Sequence, residues 1–179
     1  RRKKLILSID TGVGNAKLRG KGHFTKVEID YKPIDPLNIS IEASQDLSPS
    51  YMQYVDIIDV DNSINRIYAK SEQLTKQVEF RMDWTFSPEL TLQGYLQPFY
   101  ADMKYLRFYE LMSPETMDLI PFDYLSLHEN PDFKWENTVG TFVLRWEYNP
   151  GSTLFLVYSL NEYKYYSASD GLWSSGSSN

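Results

Sequence analysis

Residues 77–97 hold the pattern that most constrains the fold, an alternation of apolar and polar side chains broken by one Ser-Pro-Glu turn. Successive side chains of a β-strand point to opposite faces, so the alternation predicts two strands that each have an apolar and a polar face. The pattern returns near the end of the chain, in residues 154–160. The alternation therefore predicts a sheet with one apolar, dry face and one polar, wet face. In a transmembrane β-barrel the dry face meets lipid and the wet face meets the lumen.

If the sheet is part of a barrel, the two faces predict which residues meet lipid and which line the lumen. The lipid-facing side chains are predicted to be Val78, Phe80, Met82, Trp84, Leu90, Leu92, Leu154 and Leu156. The side chains lining the lumen are predicted to be Lys26, Glu28, Glu42, Glu79, Arg81, Asp83, Arg145 and Glu147. Charges of both signs are typical of a hydrated barrel interior, where neighbouring strands can pair them.

Alternation dominates the whole chain, and no long helical period competes with it. We count about nine strands joined as hairpins, which predicts an all-β antiparallel meander. Residues 32–36, 87–89 and 149–152 are rich in Pro, Gly, Asp and Asn, and predict tight turns on one side of the sheet. Counting strands places the connection Asp59–Asn65 on that same side. Short turns on one side and longer loops on the other are typical of bacterial outer-membrane barrels.

One domain accounts for the chain. Residues 1–165 are predicted to form barrel strands with one long loop at about 101–134, and residues 166–179 a flexible, low-complexity end. Loops of that length usually carry function or are disordered. Its aromatic side chains are candidates for ligand or partner contact: Tyr105, Phe108, Tyr109, Phe122 and Tyr124. They would either stack on sugar rings or a partner protein, or fold the loop over the barrel mouth as a lid; we favour the lid.

Composition excludes several classes of function. The chain has 179 residues and a formal charge of −6, which disfavours nucleic acid as a partner, because such binding neutralises phosphates with Lys and Arg. It contains no cysteine, so disulfides and thiolate metal sites are excluded. No run of roughly 18 apolar residues is present, which excludes a transmembrane helix. A barrel strand needs only about 9–11 residues, every second one of which can be polar.

No catalytic, cofactor-binding or metal-binding residue is predicted. Carboxylates are numerous, but an acid–base pair would need one of them to have a pKa raised by burial, and the polar faces are expected to be hydrated. Residues 59–65 have the odd-position spacing of a calcium loop. Ile64 and Lys70, however, replace the Gly and Glu that an EF-hand requires.

Two longer segments carry a family resemblance: Phe86–Tyr100, FSPELTLQGYLQPFY, and Phe142–Tyr158, FVLRWEYNPGSTLFLVY. They resemble the C-terminal region of a bacterial family that couples a family-9-like carbohydrate-binding domain to an outer-membrane β-barrel of unassigned function. Looser similarity extends over residues 21–161. The resemblance implies that a sugar-binding module and earlier barrel strands precede Arg1. Such barrels usually close with a strand ending in an aromatic residue, whereas this chain ends in Ser-Ser-Asn, so a fragment is expected. Members are often labelled hydrolases, which nothing in these residues supports.

The sequence therefore predicts part of a transmembrane β-barrel in the outer membrane of a Gram-negative bacterium. It would act as an anchor or pore for a carbohydrate-binding or glycan-handling protein, without chemistry or a cofactor of its own. Its expected partners are outer-membrane lipid, glycans through the missing module and other outer-membrane proteins, but no nucleic acid. The alternative is a soluble all-β carbohydrate-binding module, in which the charged face points outward and the apolar face encloses a core.

Overall fold

The computed structural model describes residues 4–16, 20–60, 63–113 and 115–177, and nearly all of them lie in one antiparallel sheet. The strands are β1 (Lys4–Ala16), β2 (Gly20–Ile34), β3 (Leu37–Val60), β4 (Ser63–Ser87), β5 (Leu90–Ser113), β6 (Asp118–Phe122), β7 (Phe133–Asn149), β8 (Ser152–Ser167) and β9 (Leu172–Ser177). A 3-10 turn, Tyr124–Ser126, lies between β6 and β7. The predicted all-β antiparallel meander is thereby confirmed, with nine strands in the described residues.

Within these ranges no helix has the length and apolar character needed to cross a bilayer.

The strands follow the order of the chain, β1-β2-β3-β4-β5-β7-β8-β9, and β6 pairs with β5 beside that path. Strand β5 pairs with β7 along residues 90–103 and with β6 along residues 108–113. In the described part of the chain the sheet is open, because β1 and β9 lie at its two ends and do not pair with each other.

Three two-residue turns, 35–36, 88–89 and 150–151, lie at one end of the sheet, which we call the turn end. Each contains a proline, whose fixed φ suits a tight turn. The connection between β3 and β4 was predicted at this end but lies at the opposite one, the far end, because β3 continues to Val60 and β4 begins only at Ser63. The strand count failed because residues 37–60 form one strand: Pro49 stays in register opposite Glu72, and two bulges follow it.

Two other predicted boundaries were wrong. The long loop is much shorter than 101–134, because β5 runs on to Ser113 and only residues 123–132 separate β6 from β7. The low-complexity end is not wholly irregular: β8 continues to Ser167, and residues 172–177 pair with it as β9. Backbone hydrogen bonds form this ladder, and they do not require apolar side chains.

The register sorts side chains onto two faces of the sheet. We call one the Trp84 face, which also carries Phe80, and the other the Arg81 face, which also carries Glu79. Residues directly opposite each other on neighbouring antiparallel strands point to the same side, so each pair extends a face across the sheet. Leu92 of β5, for example, lies opposite Trp84.

The buried core lies at the far end, and its side chains are on the Arg81 face or pack onto it. They are Ile58, Ile67, Ala69, Ser71, Ala101, Met103, Phe108 and Tyr124. Every extensive contact between described strands is with a sheet neighbour, so no second layer of these residues covers the Trp84 face. The chain exposes 12301 Å² of surface, whereas a compact domain of this length exposes roughly 9,000 Å².

Candidate functional site

The eight charged residues predicted to line a lumen all lie on the Arg81 face, toward the turn end. Glu28, Glu42 and Glu79 are directly opposite one another on β2, β3 and β4, an arrangement that is unfavourable for like charges. The Lys26 ammonium offsets it, because its Nζ lies 3.3 Å from a Glu42 oxygen and 3.7 Å from a Glu28 oxygen. Arg81 pairs with Glu79 in the same way.

The network extends from Arg81 toward β5. The Arg81 guanidinium lies over the Tyr95 ring, 4.8 Å from its centroid. Next to it, the Gln93 amide donates a hydrogen bond of 3.0 Å to the Asp83 carboxylate. The Arg81 face therefore presents a surface of paired charges and amides at the turn end.

The β7–β8 turn closes around Glu147. One Glu147 oxygen accepts a hydrogen bond of 3.0 Å from the Gly151 amide, and the other lies 2.9 Å from Arg145 Nη2. These two donors, the amide first, hold the pKa of the Glu147 carboxyl below its usual value. Gly151 has φ = 79°, a conformation that glycine adopts without steric cost. Arg145 and Glu147 thus fasten the turn from the Arg81 face.

The eight residues predicted to face lipid all lie together on the Trp84 face. Many are open: Val78 is 42% exposed, Leu154 54% and Leu156 66%. Aromatic pairs stand at the turn end of this face, with Trp84 and Phe86 rings 4.3 Å apart. Trp146 and Tyr148 are 6.1 Å apart on β7. The Trp84 face is thus a broad apolar surface that the described residues leave uncovered.

The two faces exchange character toward the far end, a feature that the sequence analysis missed. On β5, even-numbered Leu92 and Leu96 lie on the Trp84 face, but farther along, the even positions are Asp102 and Lys104. On β4, β7 and β8 charged residues likewise follow the apolar band on the Trp84 face at a matching level, although Leu74 of β4 stays on that face. The charged residues on the Trp84 face beyond the apolar band include Lys76, Asp102, Lys104, Lys134, Glu136, Glu162 and Lys164. On β5, β7 and β8 the apolar residues move to the Arg81 face at this level, whereas on β4 they do so only from Ala69 toward the far end, where the core is.

The aromatic residues predicted as ligand contacts mostly form that core. Phe108 and Tyr124 are buried and their rings stack 4.7 Å apart, and Tyr105 and Phe122 pack against the same cluster. Tyr109 is separate from it, because it lies opposite Tyr68 of β4 on the Trp84 face. Of these four rings, those of Phe108 and Tyr124 are buried and those of Tyr105 and Phe122 are partly buried, and their contact with a ligand stays a prediction.

Residues 123–132 form a strap across the Arg81 face at the far end. The Tyr124 ring binds it to the core, and the His128 ring stacks on Tyr124 at 4.8 Å. Tyr105 lies in the stretch of β5 between the part that pairs with β7 and the part that pairs with β6. Its backbone amide donates a hydrogen bond of 2.7 Å to the Asp132 carboxylate. Burial, together with this carboxylate, raises the pKa of the Tyr105 phenol. These contacts hold the connection against the sheet, and the favoured interpretation of the aromatics, a lid over a barrel mouth, stays a prediction.

Three further aromatic residues on the Arg81 face escaped the sequence analysis: Trp135, Tyr163 and Tyr165. They lie beside Phe133, an aromatic residue of the segment that was predicted as the long loop. The Trp135 and Tyr163 rings are parallel to within 7° at 5.3 Å, and the Phe133 and Tyr165 rings lie 5.9 Å apart. Their odd numbers were the available signal, since the apolar residues of β7 and β8 near the turn end are mainly even-numbered.

No group of three or more metal-ligating side chains was found in the part of the chain that the structure describes. The rejected calcium-loop pattern includes Asp61 and Asn62, which lie outside the described residues.

The fold and these two faces define an all-β domain built from one long-stranded antiparallel meander. Residues 1–175 match a family described as a domain of unknown function, DUF5916, and the chain belongs to that family. The match indicates no catalytic family, and it does not link the chain to a family-9 carbohydrate-binding domain or to a barrel family. No curated protein and no solved structure matches the chain.

Proposed function

We propose that the chain is part of an outer-membrane β-barrel of a Gram-negative bacterium, with the turn-end half of the Trp84 face in lipid. The Arg81 face would line a hydrated interior, and the far end would project beyond the bilayer. The domain would serve as the anchor or pore of a protein that handles glycans, with outer-membrane lipid and other outer-membrane proteins as its partners.

The exchange of character between the faces carries this proposal. Strands β4, β5, β7 and β8 run without a break through the level at which it occurs. A soluble domain keeps its apolar residues on the covered side of a strand throughout. A strand that leaves a bilayer does not, because its outer side passes from hydrocarbon into water. A change at one level on four neighbouring strands is therefore what a membrane boundary predicts.

The height of the apolar band agrees with a bilayer. On β4 it runs from Val78 to Phe86, which is nine residues or about 30 Å along the strand. A strand tilt of roughly 40° reduces this to about 23 Å, close to the apolar band of about 25 Å in outer-membrane barrels. The aromatic pairs of Trp84 and Trp146 lie at the turn-end edge of the band, where interfacial aromatic girdles occur.

Single cysteines on adjacent residues test the proposal, since the chain has no cysteine of its own. In the full-length protein in outer membranes, Arg81→Cys is expected to react with a membrane-impermeant maleimide. Phe80→Cys is expected to resist it, and a fluorophore there to be quenched by nitroxide lipid. At the far end the pattern should reverse, with Asp102→Cys on the Trp84 face reactive and Met103→Cys on the Arg81 face protected.

The soluble alternative gives different results. In a soluble module with an enclosed core, Phe80→Cys would be protected from the maleimide and from nitroxide lipid alike, and the protein would remain in solution without detergent. Either result would overturn the membrane proposal.

A further inference from the structure

The four aromatic residues Phe133, Trp135, Tyr163 and Tyr165, which we call the aromatic platform, form a continuous surface on β7 and β8. Trp135 lies directly opposite Tyr165, and Tyr163 is diagonal to Trp135. The platform is not buried in the core as Phe108 is, because Tyr163 is 39% and Tyr165 36% exposed.

A glycine in β9 leaves space for the Tyr163 ring to lie across that strand. Gly176 is directly opposite Tyr163, and a Cβ at Gly176 would come within 2.6 Å of the Tyr163 hydroxyl and 2.7 Å of the ring. The missing side chain therefore makes room for the ring on the sheet. The Trp135 ring is parallel to it, so the two rings share one orientation.

A polar group without a partner lies beside the platform. Asn137 is directly opposite Tyr163, and its Oδ1 is buried and accepts no hydrogen bond in the structure. Buried acceptors are rarely left unpaired, and a hydroxyl or water donor is what satisfies an amide oxygen.

The charges around the platform limit what it can bind. At its level of β7 and β8 the ionised side chains are Lys134, Glu136, Glu162 and Lys164, and the register puts all four on the Trp84 face. A nucleic acid or another phosphate-bearing ligand would need Lys or Arg on the side of the rings. Stacked rings beside a hydroxyl acceptor suit a neutral ligand that has apolar faces and hydroxyl donors.

We propose that the aromatic platform and Asn137 bind a neutral oligosaccharide, whose sugar rings stack on Trp135 and Tyr163 while a hydroxyl donates to Asn137 Oδ1. This rests on the proposed function for its setting, since only there does the Arg81 face line the interior of a barrel. The platform would then lie on the path of a glycan at the far end of that interior.

The test is titration of the detergent-solubilised full-length protein with maltohexaose, cellohexaose and N-acetylchitohexaose, followed by calorimetry and Trp fluorescence. At least one probe is expected to bind saturably. Trp135→Ala and Asn137→Ala should each weaken that binding by at least about tenfold, the usual loss at a binding hot spot. Trp135→Phe keeps a ring and should retain most of the binding, which guards against a folding defect.

Matched controls are available on the other face of the sheet, on β7 and on β9. Trp173, whose ring is 5.3 Å from that of Tyr166, and Thr138 both lie on the Trp84 face. Trp173→Ala and Thr138→Ala should leave binding unchanged. If none of the three oligosaccharides binds, or if the control variants lose as much affinity as the platform variants, the proposed sugar site is overturned.

The cysteine labelling of Phe80 and Arg81 is independent of these titrations. A platform that binds sugar in a protein that stays in solution would overturn the membrane proposal and leave the sugar site standing.

Discussion

The turn-end and far-end halves of this sheet are made of the same long strands, yet their apolar residues lie on opposite faces. Near the turn end the Trp84 face is apolar and open, and the Arg81 face carries paired charges such as Lys26 and Glu42. Near the far end the Trp84 face is charged, and the Arg81 face holds the core around Ile67. Because strand geometry is the same in both halves, it does not account for the difference. The membrane proposal attributes the difference to water outside the far end and lipid outside the turn end.

The largest expected effect concerns the far-end core. Ile67 is fully buried, so Ile67→Ala should destabilise the protein by about 2–5 kcal/mol through lost burial and an unfilled cavity. Leu156→Ala, on the open Trp84 face, should cost much less, because lipid chains can occupy the vacated space. Urea unfolding of the full-length protein in liposomes measures both. Equal losses would contradict the contrast between the halves.

We call the level at which the two faces exchange character the exchange level. A charge placed on either side of it tests the contrast between the two halves. Phe80→Arg puts a cation into the apolar band and should cost about 2–4 kcal/mol, as for a lipid-facing position near the bilayer midplane. Leu74→Arg lies on the same face of the same strand, beyond the exchange level and opposite Asp102, and should be nearly neutral. The fraction of protein that runs as the compact form on unheated gels reports folding. An equal loss of the compact form for Leu74→Arg and Phe80→Arg would contradict an end of the apolar band between these two residues.

The smallest effect concerns the turn that Glu147 fastens. The folded-state pKa of Glu147 is lowered, so its stabilising contribution is present above the usual Glu pKa and is lost as the pH falls through the folded-state value. Glu147→Gln should therefore lower stability slightly at neutral pH and make no difference under strongly acidic conditions. Thermal unfolding of both proteins over an acidic pH series measures this. A gap that widens on acidification would contradict it.

Local alternation was sufficient to predict the turn-end half. Every second residue from Val78 to Trp84 is apolar, and a period of two assigns faces without knowledge of the partner strand. All sixteen lipid-facing and lumen-lining candidates accordingly lie on their predicted sides of the sheet. Which of the two sides meets lipid stays a prediction.

The far-end half was predicted poorly because its alternation continues with the opposite phase. After Leu96 the apolar positions become the odd ones, Ala101, Met103 and Tyr105. The alternation therefore ends when it is followed in one phase only, and the sequence predicts a long loop there. Four of the five aromatic candidates pack in the far-end core, and a contact of any of the five with a ligand or partner stays a prediction. Burial of Phe108 and Tyr124 depends on contacts with β3 and β4, which sequence spacing does not reveal.

The sequence by itself determined that the chain forms long antiparallel strands with two chemically distinct faces, because side-chain alternation and tight-turn residues act over a few neighbouring positions. Only the tertiary structure decided that the faces exchange at one level, that Ile67, Phe108 and Tyr124 meet in one core, and that Trp135 and Tyr163 lie parallel. Those features depend on the register between strands distant along the chain. Register is set by pairing and packing across the whole sheet.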